Sequence, residues 1–234
     1  MAYTETIVLS LGGSLIVPNG GIDTQFLINF NQFIRKQIAE KQRRFFIICG
    51  GGTTARNYID AAVEVTHRQL ADEDKDWLGI HATRLNAHLI RTIFRDIAYS
   101  RFFKHYDRSY DVADEPVVVA SGWKPGWSTD YCSVLVAEKY GAKKIINLSN
   151  IDKVYNRDPR KFADAKPIEK INWKEFTKLV GDKWVPGLNT PFDPIATKKA
   201  KELALTVIIL NGKNIYNLEA AIDGKSFMGS TIAP

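Results

Sequence analysis

Four short stretches hold residue types suited to gripping an anion. "LGGS" (11–14) and "GGGTTAR" (50–56) each follow a short apolar run. Glycines there let backbone N–H groups approach an anion closely, and a helix starting next offers its positive end. Neither is the GxxxxGK[ST] loop or the GxGxxG fingerprint with its acidic partner, and a tight turn without ligand explains each equally well alone. "SGWKPGWSTD" (121–130) is more specific, because it gathers Lys124, two glycines, Ser128, Thr129 and Asp130 at a strand-to-helix turn. Ser128 or Thr129 can cap the helix, but capping accounts for one of the three polar residues, not all. Trp123 and Trp127 can pack on a base or simply staple the loop. "NLSNIDKVYNRDP" (147–159) ends an apolar strand in short hydrogen-bonding side chains, which make either an Asx-turn network or the rim of a site.

These stretches need a scaffold, and the apolar pattern supplies one. Short apolar runs at 6–11, 44–49, 116–120, 143–148 and 205–210 read as buried strands, with a final short strand in "GSTI". Helical spacing marks 23–40 with Asp23 as N-cap, the segment from the triple glycine to about 68, and 77–100, 130–140, 172–180, 195–204 and 214–222. "ADEDKD" (71–76) reads as a polar connection, the residues after 159 as a linker, and "PGLNTPFDP" (186–194) as a turn-rich loop. Strands alternating with helices, each strand nearly all apolar, predict a three-layer α/β/α sandwich with a mainly parallel open sheet. In such sheets ligands bind beyond the carboxyl ends of the strands. Several strands here end in glycine or small polar residues, so one edge of the sheet is expected to carry the site.

The 234 residues are read as a single domain, 1–234, with no repeat or low-complexity segment. Hydrophobic content of 45% and charged content of 25% are ordinary for a globular chain, and no apolar run is long enough to span a membrane. No signal peptide is read and two cysteines make no disulfide framework, so the cytoplasm is the expected compartment. The formal charge of +6 suits small anions. No nucleic-acid-binding motif accompanies it, and neither a nucleic acid nor a membrane is expected as partner. No metal-ligand spacing of the HExxH kind is present.

Taken in order, the motifs resemble the amino acid kinase family and, within it, the uridylate (UMP) kinases, most closely of the archaeal type. "LGGSLIVP", "GGG" with Arg56, "DWLGIHATRLNA" (76–87), "PGWSTD", "NLSNIDKVYNRDP", "PFDPIATKKA" (191–200) and "GSTI" all match, over nearly the whole chain. The resemblance implies phosphoryl transfer from Mg-ATP to UMP, with Mg²⁺ held mainly by phosphate oxygens. It implies that Gly12, Gly13, Ser14, Gly52, Arg56, Ser149, Tyr155 and Asp158 bind ATP. It gives UMP to Gly51, Asp76 and the loop Trp123, Lys124, Pro125, Gly126, Trp127, Ser128 and Thr129. Asp130 and Lys198 take the catalytic roles. Residues 1–142 become the mainly UMP-binding half and 143–234 the mainly ATP-binding half, and a hexamer is implied. Two departures stand out: Ser10 lies where most of the family has a lysine reaching the transferred phosphoryl, and Lys153 where a glycine is usual. Other implied readings are a different phosphotransferase of the family, or a nucleotide-binding storage or regulatory protein.

Overall fold

Valine, isoleucine, leucine and phenylalanine fill the inner strands so fully that both faces of the sheet must be covered. The structure is a computed structural model that describes residues 3–112, 114–159, 161–181 and 190–234. In chain order it contains β1 (Glu5–Leu11), α1 (Gly13–Ile16), α2 (Thr24–Lys41), β2 (Arg43–Cys49), α3 (Gly52–Thr66), α4 (Asp72–Ile93) and β3 (Val117–Ala120). The second half contributes α5 (Thr129–Tyr140), β4 (Lys144–Ser149), β5 (Val154–Tyr155), β6 (Pro167–Ile168), β7 (Lys170–Asn172) and α6 (Trp173–Val180). It closes with α7 (Pro194–Glu202), β8 (Thr206–Asn211), α8 (Ile215–Ile222) and β9 (Ser230–Ala233).

Seven strands form one sheet in the order β3-β2-β1-β4-β8-β9-β7, parallel except where β9 runs against β8. Strand periodicity sorts the core into two layers. Ile7, Leu9, Leu11, Phe45, Ile47 and Cys49 point to the side covered by α2, α4 and α8, whereas Val8, Phe46 and Ile48 point to α5, α6 and α7. That is the three-layer sandwich the sequence predicts. β1 sits at the centre: the chain builds β2 and β3 on one side of it, then returns to lay β4 on the other. The loops leaving β1 and β4 therefore diverge, and a crevice opens at this switch point.

Three local expectations need correction. "ADEDKD" is not a connection, because α4 starts at Asp72; Asp72, Glu73 and Asp74 in its first turn complement the positive helix end. The helix ends at Ile93 rather than at 100, because aromatic packing overrides the helical pattern. Phe94 and Phe103 are buried, and the chain runs beside β3 through parallel bridges Ala98–Val117 and Phe103–Ala120. The linker after 159 contains β6 and β7, too short for periodicity to reveal. Of the turn-rich loop, residues 186–189 lie outside the described residues; from there Asp193 caps α7, accepting from the N–H groups of Ile195 and Ala196.

Candidate active site

At the ends of β1 and β2 two glycine turns are packed backbone against backbone. A Cβ on Gly13 would lie 2.0 Å from Gly52 N, and one on Gly52 would lie 2.2 Å from Gly13 O. A Cβ on Gly50 would meet Gly13 N at 2.6 Å, and one on Gly12 would meet Leu148 O at 2.6 Å. Only glycine allows these approaches, and Gly52 also has a positive φ of 65°. Asn86 of α4 secures the second turn by donating to Gly50 O at 2.8 Å and Gly51 O at 3.2 Å. Thr53 ties it to the first, its N–H reaching Val17 O and its hydroxyl Pro18 O. Among the described residues no acceptor takes the N–H of Gly51 or Gly52 at the start of α3, so these donors face outward for an anion. Ser14 is half-buried on the first turn. Arg56 is exposed one turn along α3, holding only the Thr53 hydroxyl at 2.6 Å.

Asp130, the second residue of α5, comes to the crevice between β1 and β4. Its Oδ1 accepts from Ser10 Oγ at 3.2 Å and from Asn147 Nδ2 at 3.4 Å, and its Oδ2 from the Asp193 N–H at 3.2 Å. Asn147 also donates to Pro191 O. A second carboxylate, Asp193, lies alongside and accepts from the hydroxyl of Ser128. All of Asp130's partners are neutral. Burial, and then the nearby Asp193, push its carboxyl up to about 7. Asp193 is raised too, by burial, with the Ala196 and Ile195 N–H groups opposing. Ser128, not Thr129, caps α5, accepting from the Tyr131 N–H at 3.0 Å; Thr129 is the first helical residue.

The 122–127 loop lies against one stripe of α4. Asp76 Oδ2 accepts from Gly126 N at 2.7 Å, Thr83 Oγ1 from Gly122 N at 2.8 Å, and Arg84 donates to Trp123 O at 3.1 Å. Burial raises Asp76 and the Gly126 N–H pulls it back. Trp123 and Trp127 meet edge to face at 4.8 Å, buttressed by Tyr106 and Tyr131, and Lys124 projects beside Pro125 at the tip.

On the other side of the crevice, Ser149, Tyr155 and Asp158 share the wall of one cavity of about 420 Å³ with Lys153, Leu179 and Thr190. That is within the range of small-ligand sites. Lys153 pairs with Glu169 at 2.5 Å. Lys198 is exposed on α7 and makes no ion pair or hydrogen bond among the described residues; it is not part of the Asp130 cluster. No group of three His, Cys, Asp or Glu side chains among the described residues could hold a metal ion. Cys49 and Cys132 are buried, and burial raises both thiols, so neither is a nucleophile.

The sequence reading brought together the two glycine turns, the 121–130 loop and the 149–158 rim, and the structure sets them along one sheet edge. It passed over Ser10, Asn147 and Asp193 as partners of Asp130, and Asn86 and Thr83 as loop anchors. A signal existed for two of them: Ser10 and Asn147 are polar residues inside otherwise apolar strands, and both are buried.

Comparison with known proteins bears on this edge as a whole. The model of the amino acid kinase family matches residues 5–211. The chain is 34% identical to a uridylate kinase of Methanospirillum hungatei, over 97% of this chain and 94% of that one. It is 32% identical to a uridylate kinase of Pyrococcus abyssi, over 97% and 99%. The crystal structure of uridylate kinase from Archaeoglobus fulgidus superposes with a TM-score of 0.81 at 28% identity, covering 97% of this chain and 99% of that one.

Two outcomes follow from the geometry. Gly13→Ala must push backbone apart and should cost about 2 kcal/mol or more, the scale of overpacking. Gly21→Ala has open space around its Cβ and should leave stability nearly unchanged; urea unfolding midpoints of the two variants check the contrast. The second outcome concerns Asp130, whose carboxyl titrates at about 7 when folded and at about 3.9 when unfolded. The folded state keeps a proton the unfolded state releases, so this contribution is full below about pH 4 and is lost as pH rises through about 7. Asp130→Asn should flatten that decline and be more stable than the wild type above about pH 7. Unfolding midpoints on either side of that window test it, and an unchanged decline in the variant would contradict it.

Proposed function

The chain belongs to the amino acid kinase family, and on that premise we propose that it transfers a phosphoryl group from Mg-ATP to UMP, giving ADP and UDP. The observation that carries the reading is the interlocked pair of glycine turns. A phosphoryl group moves in line between two anions held a few ångströms apart, through a loose transition state that asks for positioning and charge screening. Two donor-lined turns in backbone contact are suited to holding two phosphate groups at that separation. The uridylate kinase relatives, matched over nearly the whole chain, supply the choice of acceptor.

In this reading Gly12, Gly13, Ser14, Gly52 and Arg56 hold the ATP phosphates, and the cavity of Ser149, Tyr155 and Asp158 holds the adenosine end, with the Tyr155 ring against adenine. Gly51, Asp76 and the 123–129 loop hold UMP. The halves divide accordingly, 1–142 mainly for UMP and 143–234 mainly for ATP. Bound Mg²⁺ would screen the phosphate charge. It would be held mainly by phosphate oxygens, because the nearest carboxylates, Asp130 and Asp193, are already engaged by protein donors. Asp130 orients cationic groups toward the transferred phosphoryl. Lys198 supplies one of them from α7, whose N-terminus is fixed on Asp130 through the Asp193 N–H. Its ammonium has no competing partner among the described residues.

A homo-oligomer, by family a hexamer, and a cytoplasmic location complete the proposal. The surface that a second copy would cover is α3, which buries no side chain and exposes Tyr58 and Val65 at 64% and 80%. Sedimentation of the protein as a monomer would remove that part.

The test is release of ADP with a panel of acceptors. UMP should turn over faster than AMP, GMP or small carboxylic acids; preference for another acceptor overturns the specificity, and ATP binding without turnover points to a storage or regulatory role. Asp76→Ala should raise KM for UMP while leaving that for ATP nearly unchanged, since it frees only the loop on the acceptor side. Lys198→Ala should lower kcat by roughly 10²-fold, the scale for loss of one charge-stabilising donor, with little change in either KM.

A further inference from the structure

Lys124 is held by aromatic rings alone. Its Nζ lies 4.6 Å from the centre of the Trp123 ring and 4.4 Å from that of Trp127, and it has no hydrogen bond or carboxylate partner among the described residues. The loop around it is anchored on both sides. Gly122 N, Trp123 O and Gly126 N are each fixed by a side chain of α4, and Gly126 turns with a φ of 81°. The indoles are also held from behind, Trp123 by the Tyr106 ring at 5.7 Å and Trp127 by the Tyr131 ring at 4.6 Å. What remains free to move is the exposed Lys124 side chain on its flexible four-carbon stem.

An ammonium over a solvent-exposed indole is a weak contact, and a base stacked on the same ring is a stronger one. Once displaced, the ammonium lies within a side chain's reach of whatever is attached to that base. We propose that Lys124 is a placeholder on the indole faces that receive the acceptor's pyrimidine, and that, when displaced, it pairs with the acceptor's 5′-phosphate. This rests on the UMP reading and adds a selection rule to it. A nucleoside must evict the ammonium and gains nothing for doing so, whereas a nucleotide evicts it and recovers a charge-assisted hydrogen bond. The loop thereby rejects acceptors that lack the phosphate, and Lys124, Trp123 and Trp127 act together as the specificity determinant.

Calorimetry with uridine and with UMP, on the full chain without ATP, tests the coupling. Lys124→Met keeps the apolar stem and removes the charge. It should bind uridine about threefold more tightly, because the competitor for the ring is gone, and UMP about tenfold more weakly, because the phosphate partner is gone. Lys124→Arg keeps a cation and should retain the preference for UMP. Trp127→Leu, with its folding verified by thermal melting, should weaken both ligands together. Lys124→Met leaving the ratio of UMP to uridine affinity unchanged would overturn the proposal, as would normal uridine binding by folded Trp127→Leu. If the wild type turns over a different nucleotide and not UMP, the UMP reading fails. The same comparison between that nucleotide and its dephosphorylated form then decides the role of Lys124 separately.

Discussion

Adjacent parallel strands stand about 4.8 Å apart, and side chains on the turns that follow them normally push those turns further away from each other. In this fold the turns after β1 and β2 do the opposite. Gly13 and Gly52 touch through backbone atoms, with so little room that an added Cβ would sit 2.0 to 2.2 Å from the opposing chain. The contact fixes where two sets of outward N–H donors lie relative to each other, and the other parts of the site are arranged around that pair. Asn86 and Thr53 act as its clamps, joining α4 and the β1 turn to the second glycine turn. Reactions between two anions require their reacting atoms within about 3.5 Å, and a backbone-lined double turn is one of the few protein surfaces that can support such a separation without crowding.

Charge control is organised separately, through Asp130. Its carboxyl joins β1, β4, α5 and α7 through hydrogen bonds from Ser10, Asn147 and the Asp193 backbone. A buried carboxylate with only neutral donors and another carboxylate beside it holds its proton to unusually high pH. That arrangement costs folding stability at neutral pH, and groups of this kind cluster at functional sites. It also creates a place where an incoming cation would be welcomed. The exposed, partnerless ammonium of Lys198 on the anchored helix α7 is consistent with such a demand.

Much of this was legible before any coordinates. The β-strands are short apolar runs, the helices carry regular periodicity, and the glycine turns are local motifs, so the sandwich and the edge that carries the site follow from local pattern. What escaped was long-range pairing or was overridden by tertiary packing. Ser10 and Asp130 are 120 residues apart, and Asp130 and Asp193 are 63 apart; no periodicity links such residues. The 71–76 stretch looks like a loop by polarity, yet its acids suit the start of a helix. The 94–100 stretch looks helical by composition, yet Phe94 and Phe103 draw it into the core beside β3. The two-residue strands β5 and β6 are shorter than any pattern can register.

The central claim is that the two glycine turns present two phosphate-bearing ligands to each other for direct transfer. Phosphorus NMR of the wild-type chain mixed with Mg-ATP and UMP reads the products themselves. The account predicts that the ATP resonances give way to those of ADP and UDP in equal amounts, with no inorganic phosphate. Release of inorganic phosphate with UMP untouched, or an unchanged spectrum from folded protein that binds both nucleotides, would contradict it.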